Sequence, residues 1–155
     1  MTAYVALLRG VNLGKRQLKM ADLRRLATKI GLDDATTYIA SGNLLFRSSK
    51  GEQALKSALE AALAEHMGAR VGVMVRTAEQ LSGVVAANPF GKEAPNLTVA
   101  IFLDAAPAGD AAKAAKNVDG ERIRSENAKS TCITRAARAS RGSRFPRLRK
   151  ARPAT

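Results

Sequence analysis

Residues 36–47 read Thr-Thr-Tyr-Ile-Ala-Ser-Gly-Asn-Leu-Leu-Phe-Arg, and this stretch decides the fold. Two short runs of β-branched and large apolar residues, Thr36 to Ala40 and Leu44 to Arg47, flank the turn formers Ser41 to Asn43. Gly and Asn tolerate the left-handed backbone that a tight reversal requires. The pattern therefore predicts a β-hairpin whose turn lies at residues 41–43.

The segments on either side of this hairpin each predict one helix and one strand. Upstream, Tyr4 to Leu8 is a strand-sized apolar run, and apolar residues recur at helical spacing from Met20 to Ile30. Downstream, apolar residues four apart between Glu52 and Met67 predict a second helix, and Val71 to Arg76 is a β-branched, apolar strand. A glycine follows each helix, as at many helix ends. The order β-α-β-β-α-β predicts an α+β fold, the ferredoxin-like plait.

The chain beyond residue 76 predicts a smaller, incomplete α/β subdomain. Thr77 and Gln80 have the spacing of a capping box and open a short helix. Leu97 to Leu103 is an apolar strand, and the turn at residues 119–120 leads toward one more strand at Glu121 to Arg124. We therefore divide the chain into the plait at 1–76, a helix with a partial second α/β subdomain at 77–125, and a basic tail at 126–155.

The tail holds most of the positive charge. The chain has 155 residues and a net charge of +13, but residues 126–155 alone carry nine Lys/Arg against one Glu. The remaining body is only mildly basic, so the total charge is a weak indication of nucleic-acid binding. From Glu126 onward no apolar period of a strand or a helix appears, and such a segment buries too little surface to order itself. We expect the tail to be disordered.

Composition also limits the chemistry. The chain is 46% hydrophobic, which suits one domain or two small subdomains that share a core. It has a single histidine, His66, and a single cysteine, Cys132, so we expect no intrachain disulfide, no metal site and no cofactor. No apolar run is long enough to span a bilayer. We expect a soluble cytoplasmic protein without membrane contact, and its oligomeric state stays open.

Two polar loops form the candidate site. Arg9 to Arg16 follows the first strand, and Ser41 to Asn43 is the hairpin turn. The first and third strands of a plait are antiparallel neighbours, so the end of one lies beside the start of the other and the loops converge. Positive charge and glycines in such loops suit a phosphate or carboxylate. The predicted ligand-binding residues are Arg9, Gly10, Asn12, Gly14, Lys15, Lys19, Ser41, Gly42 and Asn43.

A purely structural interpretation of the same residues is also open. Asn12 and Asn43 can bond to backbone in tight turns, and the glycines can supply left-handed backbone angles. This interpretation is slightly favoured for each residue alone, and ligand binding is slightly favoured for the cluster. Gly10 and Gly14 fit neither the P-loop spacing nor the dinucleotide-binding one, so nothing indicates nucleotide hydrolysis.

Four segments, in this order, resemble one known family. They are Ala6 to Gly14, Lys19 to Leu23, Tyr38 to Asn43, and Asn88 to Phe90. Together they resemble the bacterial domain-of-unknown-function family numbered 1697, over about residues 1–125. The resemblance implies an α+β plait-like fold with a smaller second subdomain. It implies no catalytic residues.

The ending departs from that family's pattern, which continues with an aromatic-rich strand, a Gly-rich turn with a basic stretch, and a final Arg-Asn pair. Permitted codons for Asn127 to Thr155, read from the third base of the first codon, can encode such an ending, including Gly-Thr-Gly-Lys-Ser-Arg-Leu. We favour a frame-shifted reading over a natural basic arm, because the tail has no apolar periodicity of its own.

Three functions are compatible with the sequence. The leading hypothesis is a binding module without catalysis, whose partner is a nucleic acid or a phosphate-bearing small molecule. The second is a small enzyme that acts on a phosphorylated or carboxylated substrate, with Arg9 and Lys15 as the clamp and no identifiable general base. The third is a frame-shifted copy without function. Whether any reaction is catalysed stays open.

Overall fold

The computed structural model describes residues 1–12, 14, 17–40, 42–104, 122–126 and 130–134. The chain divides into two compact units, Met1–Ser82 and Gly83–Thr155. The first unit contains both candidate loops. No helix among the described residues combines the length and the apolar character that crossing a membrane requires.

The first unit is the predicted α+β plait. Its strands and helices follow the order β-α-β-β-α-β, and its sheet has the order β2-β3-β1-β4 with antiparallel neighbours throughout. The elements are β1 (Thr2–Leu8), α1 (Met20–Lys29), β2 (Asp33–Tyr38), β3 (Asn43–Ser48), α2 (Glu52–Met67) and β4 (Val73–Thr77). The predicted first and third strands therefore lie side by side at the centre of the sheet.

One face of this sheet forms the hydrophobic core with the two helices. Strand β3 shows the alternation clearly, because Leu44 and Phe46 are buried whereas Leu45 and Arg47 on the opposite face are exposed. Burying one such large apolar side chain contributes about 1.5–3 kcal/mol. The core residues contributed by the helices are Leu23 and Ala27 of α1 and Leu55, Leu59 and Leu63 of α2.

Strand β2 is shifted relative to its prediction. The sequence predicted a strand from Thr36 to Ala40, whereas β2 runs from Asp33 to Tyr38. The pairing with β3 shifts between Asp33 and Thr36, where Asp34 adopts a φ of 52°. This irregularity depends on long-range pairing with β3, which local residue preferences do not reveal. A bulge and two aspartates on an edge strand also oppose pairing with other chains.

The second unit contains a three-stranded antiparallel sheet. Helix α3 (Ala78–Ala86) spans the boundary between the units, and the strands are β5 (Thr98–Phe102), β6 (Arg122–Glu126) and β7 (Ser130–Thr134) in the order β5-β7-β6. The strand predicted at Leu97 to Leu103 corresponds to β5. The strand expected at Glu121 to Arg124 corresponds to β6.

Strand β7 lies where the sequence predicted a disordered tail. The prediction considered apolar periodicity alone, but the segment contains Thr131, Ile133 and Thr134, and β-branched residues favour strands. As the middle strand, β7 also pairs its backbone on both sides. Residues 135–155 lie outside the described part of the chain, and the predictions for them stay predictions.

A capping box joins β4 to α3, as the sequence predicted. The backbone N–H of Gln80 donates to Thr77 Oγ1 at 3.1 Å, and the backbone N–H of Thr77 donates to Gln80 Oε1 at 3.1 Å. The amide group of Gln80 also donates to Glu52 Oε1 at 2.6 Å, at the start of α2. The cap therefore connects the beginnings of two helices.

We expect the Thr77→Ala substitution to reduce the free energy of unfolding by about 1 kcal/mol, because it removes the side-chain acceptor of the cap. Urea denaturation followed by circular dichroism measures this change. Thr77→Ser keeps the hydroxyl and serves as the control, with an expected loss below about 0.5 kcal/mol. Equal losses in both variants would contradict the assignment of the effect to the cap.

Candidate functional site

The two polar loops meet at one edge of the first sheet. Leu7 of β1 pairs with Asn43 of β3, and the backbone N–H of Leu8 donates to the carbonyl of Gly42 at 3.1 Å. The convergence expected from the strand order is therefore present. It follows from the antiparallel pairing of β1 with β3, which places the end of one strand beside the beginning of the other.

The side chain of Asn12 bridges the two loops. Its Nδ2 donates to the carbonyl of Ala40 at 2.7 Å, and its Oδ1 accepts from the backbone N–H of Leu18 at 2.7 Å. Its backbone has a φ of 56°, a left-handed conformation that Asn adopts more readily than most residues. These hydrogen bonds to the backbone are the role that the purely structural interpretation expected of Asn12. Asn12 thus holds the β1–α1 loop against the hairpin turn and against the approach to α1.

Gly42 lets the two loops approach each other closely. It is buried and has a φ of 90°, and a Cβ placed on it would lie 2.5 Å from Val11 Cγ2 and 3.1 Å from Leu8 Cβ. Gly10 and Gly14 differ, because both are exposed and a Cβ on either would meet open space. A ligand can therefore approach the backbone at Gly10 and Gly14, whereas Gly42 is required for packing.

Arg9 and Lys19, the two cationic side chains among the described ligand-binding candidates, are exposed at this edge. The backbone N–H of Arg9 donates to the carbonyl of Gly72 at 2.8 Å, and its Cδ would lie 3.6 Å from a Cβ on Gly72. Lys19 is the residue before the first turn of α1, and its carbonyl accepts from the backbone N–H groups of Asp22 and Leu23. Both cations therefore have fixed backbones next to the loops.

The remaining predicted residues divide into two groups. Asn43 is half-buried as the first residue of β3 and pairs with Leu7 and Tyr38. Lys15 and Ser41 lie outside the described residues, so their contribution stays a prediction.

A carboxylate lies close to Lys19. Asp22, in the first turn of α1, accepts a hydrogen bond from Arg25, and His66 Nε2 of α2 lies 3.8 Å from its Oδ2. The hydrogen bond from Arg25, with the positive charges of Arg25, His66 and Lys19, keeps the pKa of Asp22 below its ordinary value. Asp22 therefore stays ionised, and Arg25 compensates much of its charge.

Sequence reasoning missed Tyr38 and Ile39 as parts of this edge, because it assigned both to a strand interior. Both side chains are exposed, Tyr38 by 65% and Ile39 by 60%. Ile39 also has a φ of 52°, which is rare for a β-branched residue and strains the backbone. The available signal was their position next to the turn residues. Two large apolar side chains are thus presented to solvent beside the candidate loops.

Metal chemistry finds no support in the described residues. Among residues 1–12, 14, 17–40, 42–104, 122–126 and 130–134, no group of three or more His, Cys, Asp and Glu side chains is arranged to hold a metal ion. Among these residues, the polar groups at the edge are amides, guanidinium groups, an ammonium, backbone N–H groups and the Asp22 carboxylate, which is paired with Arg25. These groups suit an anionic ligand better than a cation.

Comparisons with known proteins agree with the fold. The conserved bacterial protein SP0830 from Streptococcus pneumoniae has a similar structure, with a TM-score of 0.68 and 23% sequence identity over 88% of this chain and 78% of that one. At this identity the likeness shows the fold alone. No curated protein matches the chain. The model of the family described as "Protein of unknown function (DUF1697)" matches residues 1–131. The chain therefore belongs to the DUF1697 family.

Proposed function

We propose that the first unit is a binding module without catalysis, and that a phosphate-bearing ligand binds across the loops at residues 9–19 and 41–43. The observation that carries this proposal is the bridge from Asn12 to Ala40 and Leu18. It connects two loops that are distant in sequence. A surface ordered before binding loses less conformational entropy when a ligand binds.

The charge of the first loop supports an anionic ligand. Residues 9–19 include four Lys/Arg and no Asp or Glu. Of these cations, Arg9 and Lys19 are exposed in the structure on either side of the loop. Hydrogen bonds from such groups to phosphate oxygens are among the stronger ones in proteins. The open space in front of Gly10 and Gly14 allows backbone N–H groups to add further donors.

An enzyme acting on a phosphorylated or carboxylated substrate is the alternative. It requires a group that moves a proton, and the carboxylate beside the loops, Asp22, already accepts a hydrogen bond from Arg25. Binding alone therefore accounts for more of the observed contacts. Turnover of a phosphorylated substrate by the full chain, lost in an Arg9→Gln variant, would favour the enzyme.

We expect Arg9→Gln and Lys19→Gln each to weaken the binding of a phosphate-rich probe about threefold to tenfold, because each removes one exposed charge-assisted contact. The probe is a fluorescently labelled abasic strand of twelve sugar-phosphate units. Its dissociation constant is measured by fluorescence anisotropy with the full chain at low salt. The salt dependence should also become shallower, since each phosphate contact contributes to the slope.

Lys50→Gln is the matched control for these charge variants. Lys50 is exposed and follows the end of β3 that pairs with the start of β1, so it lies at the opposite edge of the sheet. We expect it to change the dissociation constant less than about twofold. Equal effects at Lys50 and Arg9 would show general attraction to a basic chain and would overturn the proposal. Absence of binding would overturn it as well.

A further inference from the structure

We propose that the ligand is a single-stranded nucleic acid, whose bases contact the open face of the first sheet while its phosphates bind the adjacent loops. This inference rests on the proposed function and extends it from the loops to the sheet. It adds the bases to the phosphates as a part of the ligand that the protein contacts. The open face is the side of the sheet opposite α1 and α2, and its exposed part is the half formed by β2 and β3, because Val5, Met74 and Arg76 on β1 and β4 are buried.

The strand register places an exposed aromatic side chain directly beside the loops. Tyr38 of β2 pairs with Asn43 of β3, and Asn43 pairs with Leu7 of β1, so the three form one row across the sheet. Residues alternate between faces along a strand, and Leu44 and Ala6 are buried in the core on the other side. The row therefore lies on the open face. Asn43 also belongs to the candidate site, which makes the two surfaces continuous.

The next row continues this surface only as far as β3. Thr36 pairs with Leu45 and both are exposed, whereas Val5, which also pairs with Leu45, is buried. Leu45 is 42% exposed although it is a large apolar side chain in the middle of a sheet. Leu45 and Val5 also line a groove of about 230 Å³, whose lining is largely apolar. Its lining residues on the strands include Ala3, Val5, Leu45 and Arg47, and those on α3 are Ala78 and Leu81.

The stacked aromatic pair of the unit, Tyr4 and Phe46, packs in or against the core, although both residues also line the groove. The rings of Tyr4 and Phe46 stack at a centroid distance of 5.7 Å, and both pack in or against the hydrophobic core. The hydroxyl of Tyr4 donates to the carbonyl of Lys50 at 3.0 Å. Among the four strands of the described first sheet, Tyr38 is therefore the aromatic residue on the open face.

Charge and shape together identify the occupant. The exposed part of the open face offers an aromatic ring and a large apolar side chain, and the exposed cations Arg9 and Lys19 flank the first loop at the same edge of the sheet. Single-stranded nucleic acid complements these groups, because its bases are free to stack on aromatic side chains and its anionic backbone can bind the cations. A duplex hides the faces of its bases. At the far end of the groove, Arg47 adds a guanidinium that lies 3.8 Å from Asp34.

The test compares strands with and without bases. Fluorescence anisotropy with the full 155-residue chain measures the binding of labelled twelve-nucleotide oligouridine, oligothymidine and the abasic strand. We expect Tyr38→Ala to weaken binding of the base-containing strands about tenfold and to leave the abasic strand within about twofold. Tyr38→Phe keeps the ring and should stay within about twofold of the parent on all probes.

A second variant tests the same face at a different residue, so the result does not depend on Tyr38 alone. Leu45→Ala removes exposed apolar surface from the same face and should weaken the base-containing strands about threefold. Circular dichroism verifies that each variant is folded. Every variant carries the same basic tail, so attraction by the tail cancels from the comparison. A preference for oligouridine or for oligothymidine supports the inference in either case.

Three outcomes overturn the inference. Equal binding of abasic and base-containing strands, with no effect of Tyr38→Ala, overturns it but leaves the phosphate site intact. Absence of binding by all strands overturns the proposed function as well. Competition by uridine monophosphate as effective as that by the strand, or tighter binding of a twelve-base-pair duplex, overturns the assignment of a single strand.

Discussion

The Gly42→Ala substitution should reduce the free energy of unfolding of the first unit by about 3 kcal/mol, through two costs that add. The backbone at Gly42 has a φ of 90°, which L-residues with a side chain rarely adopt. The new methyl group would also lie 2.5 Å from Val11 Cγ2, inside the contact distance of two carbon atoms. Val11 is buried, so it has little room to move away.

Urea denaturation of the full chain, followed by far-ultraviolet circular dichroism, measures this loss as a lower transition midpoint. Gly68→Ala is the matched control. Gly68 ends α2 with a φ of 64°, but a Cβ there would meet open space. It should cost only the conformational term of about 1 kcal/mol. Equal losses for the two variants would contradict the close approach of the loops at Gly42.

Local signals in the sequence were sufficient for much of the fold. The leucines of α2 lie four residues apart and Gly68 follows them, so the predicted helix from Glu52 to Met67 has the observed limits. The predicted hairpin is also present, although β2 already ends at Tyr38 and Asn43, predicted as a turn residue, begins β3. Once the order of elements is known, the antiparallel pairing of β1 and β3 follows from topology. The convergence of the two loops therefore needed no information on side-chain contacts.

Long-range contacts explain what the sequence did not reveal. Asn12 and Ala40 are 28 residues apart, and only the folded sheet brings the amide to that carbonyl. The left-handed backbone of Ile39 is likewise imposed by the turn, since its β-branched side chain favours extended conformations. The shift in β2 depends on the partner strand in the same way. Local preferences decide which elements form, whereas their mutual register decides these details.

The predicted site residues have different structural roles. Gly42 and Asn12 hold the loops together, so substitutions there should act first on stability. Arg9 and Lys19 are exposed at the edge, and substitutions there should act first on binding. Tyr38, which the sequence did not identify, belongs with the second group because its ring faces solvent. Measuring both the free energy of unfolding and the affinity for the ligand of each variant therefore shows whether a residue has a structural or a binding role.

Asn12→Ala should reduce the free energy of unfolding by about 2–3 kcal/mol. The substitution removes the hydrogen bonds to the Ala40 carbonyl and from the Leu18 backbone N–H, each of which contributes about 1 kcal/mol. It also places a residue with a Cβ in the left-handed region without the local hydrogen bonds that favour Asn there. The same urea denaturation experiment measures the loss.

Two further variants separate these contributions. Asn12→Gly removes both hydrogen bonds but adopts the left-handed backbone easily, so it should cost about 2 kcal/mol. Asn12→Asp keeps an acceptor for Leu18 but replaces the donor to Ala40 with a second acceptor, and the repulsion between the two oxygens adds to the lost hydrogen bond, so it should cost about 2 kcal/mol. Asn is therefore expected to be the most stable, Gly and Asp similar to each other, and Ala the least stable. An Ala variant as stable as the Gly variant would contradict a separate contribution from the left-handed backbone.

The Gly variant also tests whether the bridge prepares the surface for its ligand. It leaves Arg9 and Lys19 in place and changes no charge, so any loss of affinity for the abasic strand reflects loops that must be ordered upon binding. We expect the dissociation constant to rise about fivefold under conditions where the variant is fully folded. An unchanged dissociation constant would show that the loops bind independently, and the bridge from Asn12 would then serve the stability of the fold alone.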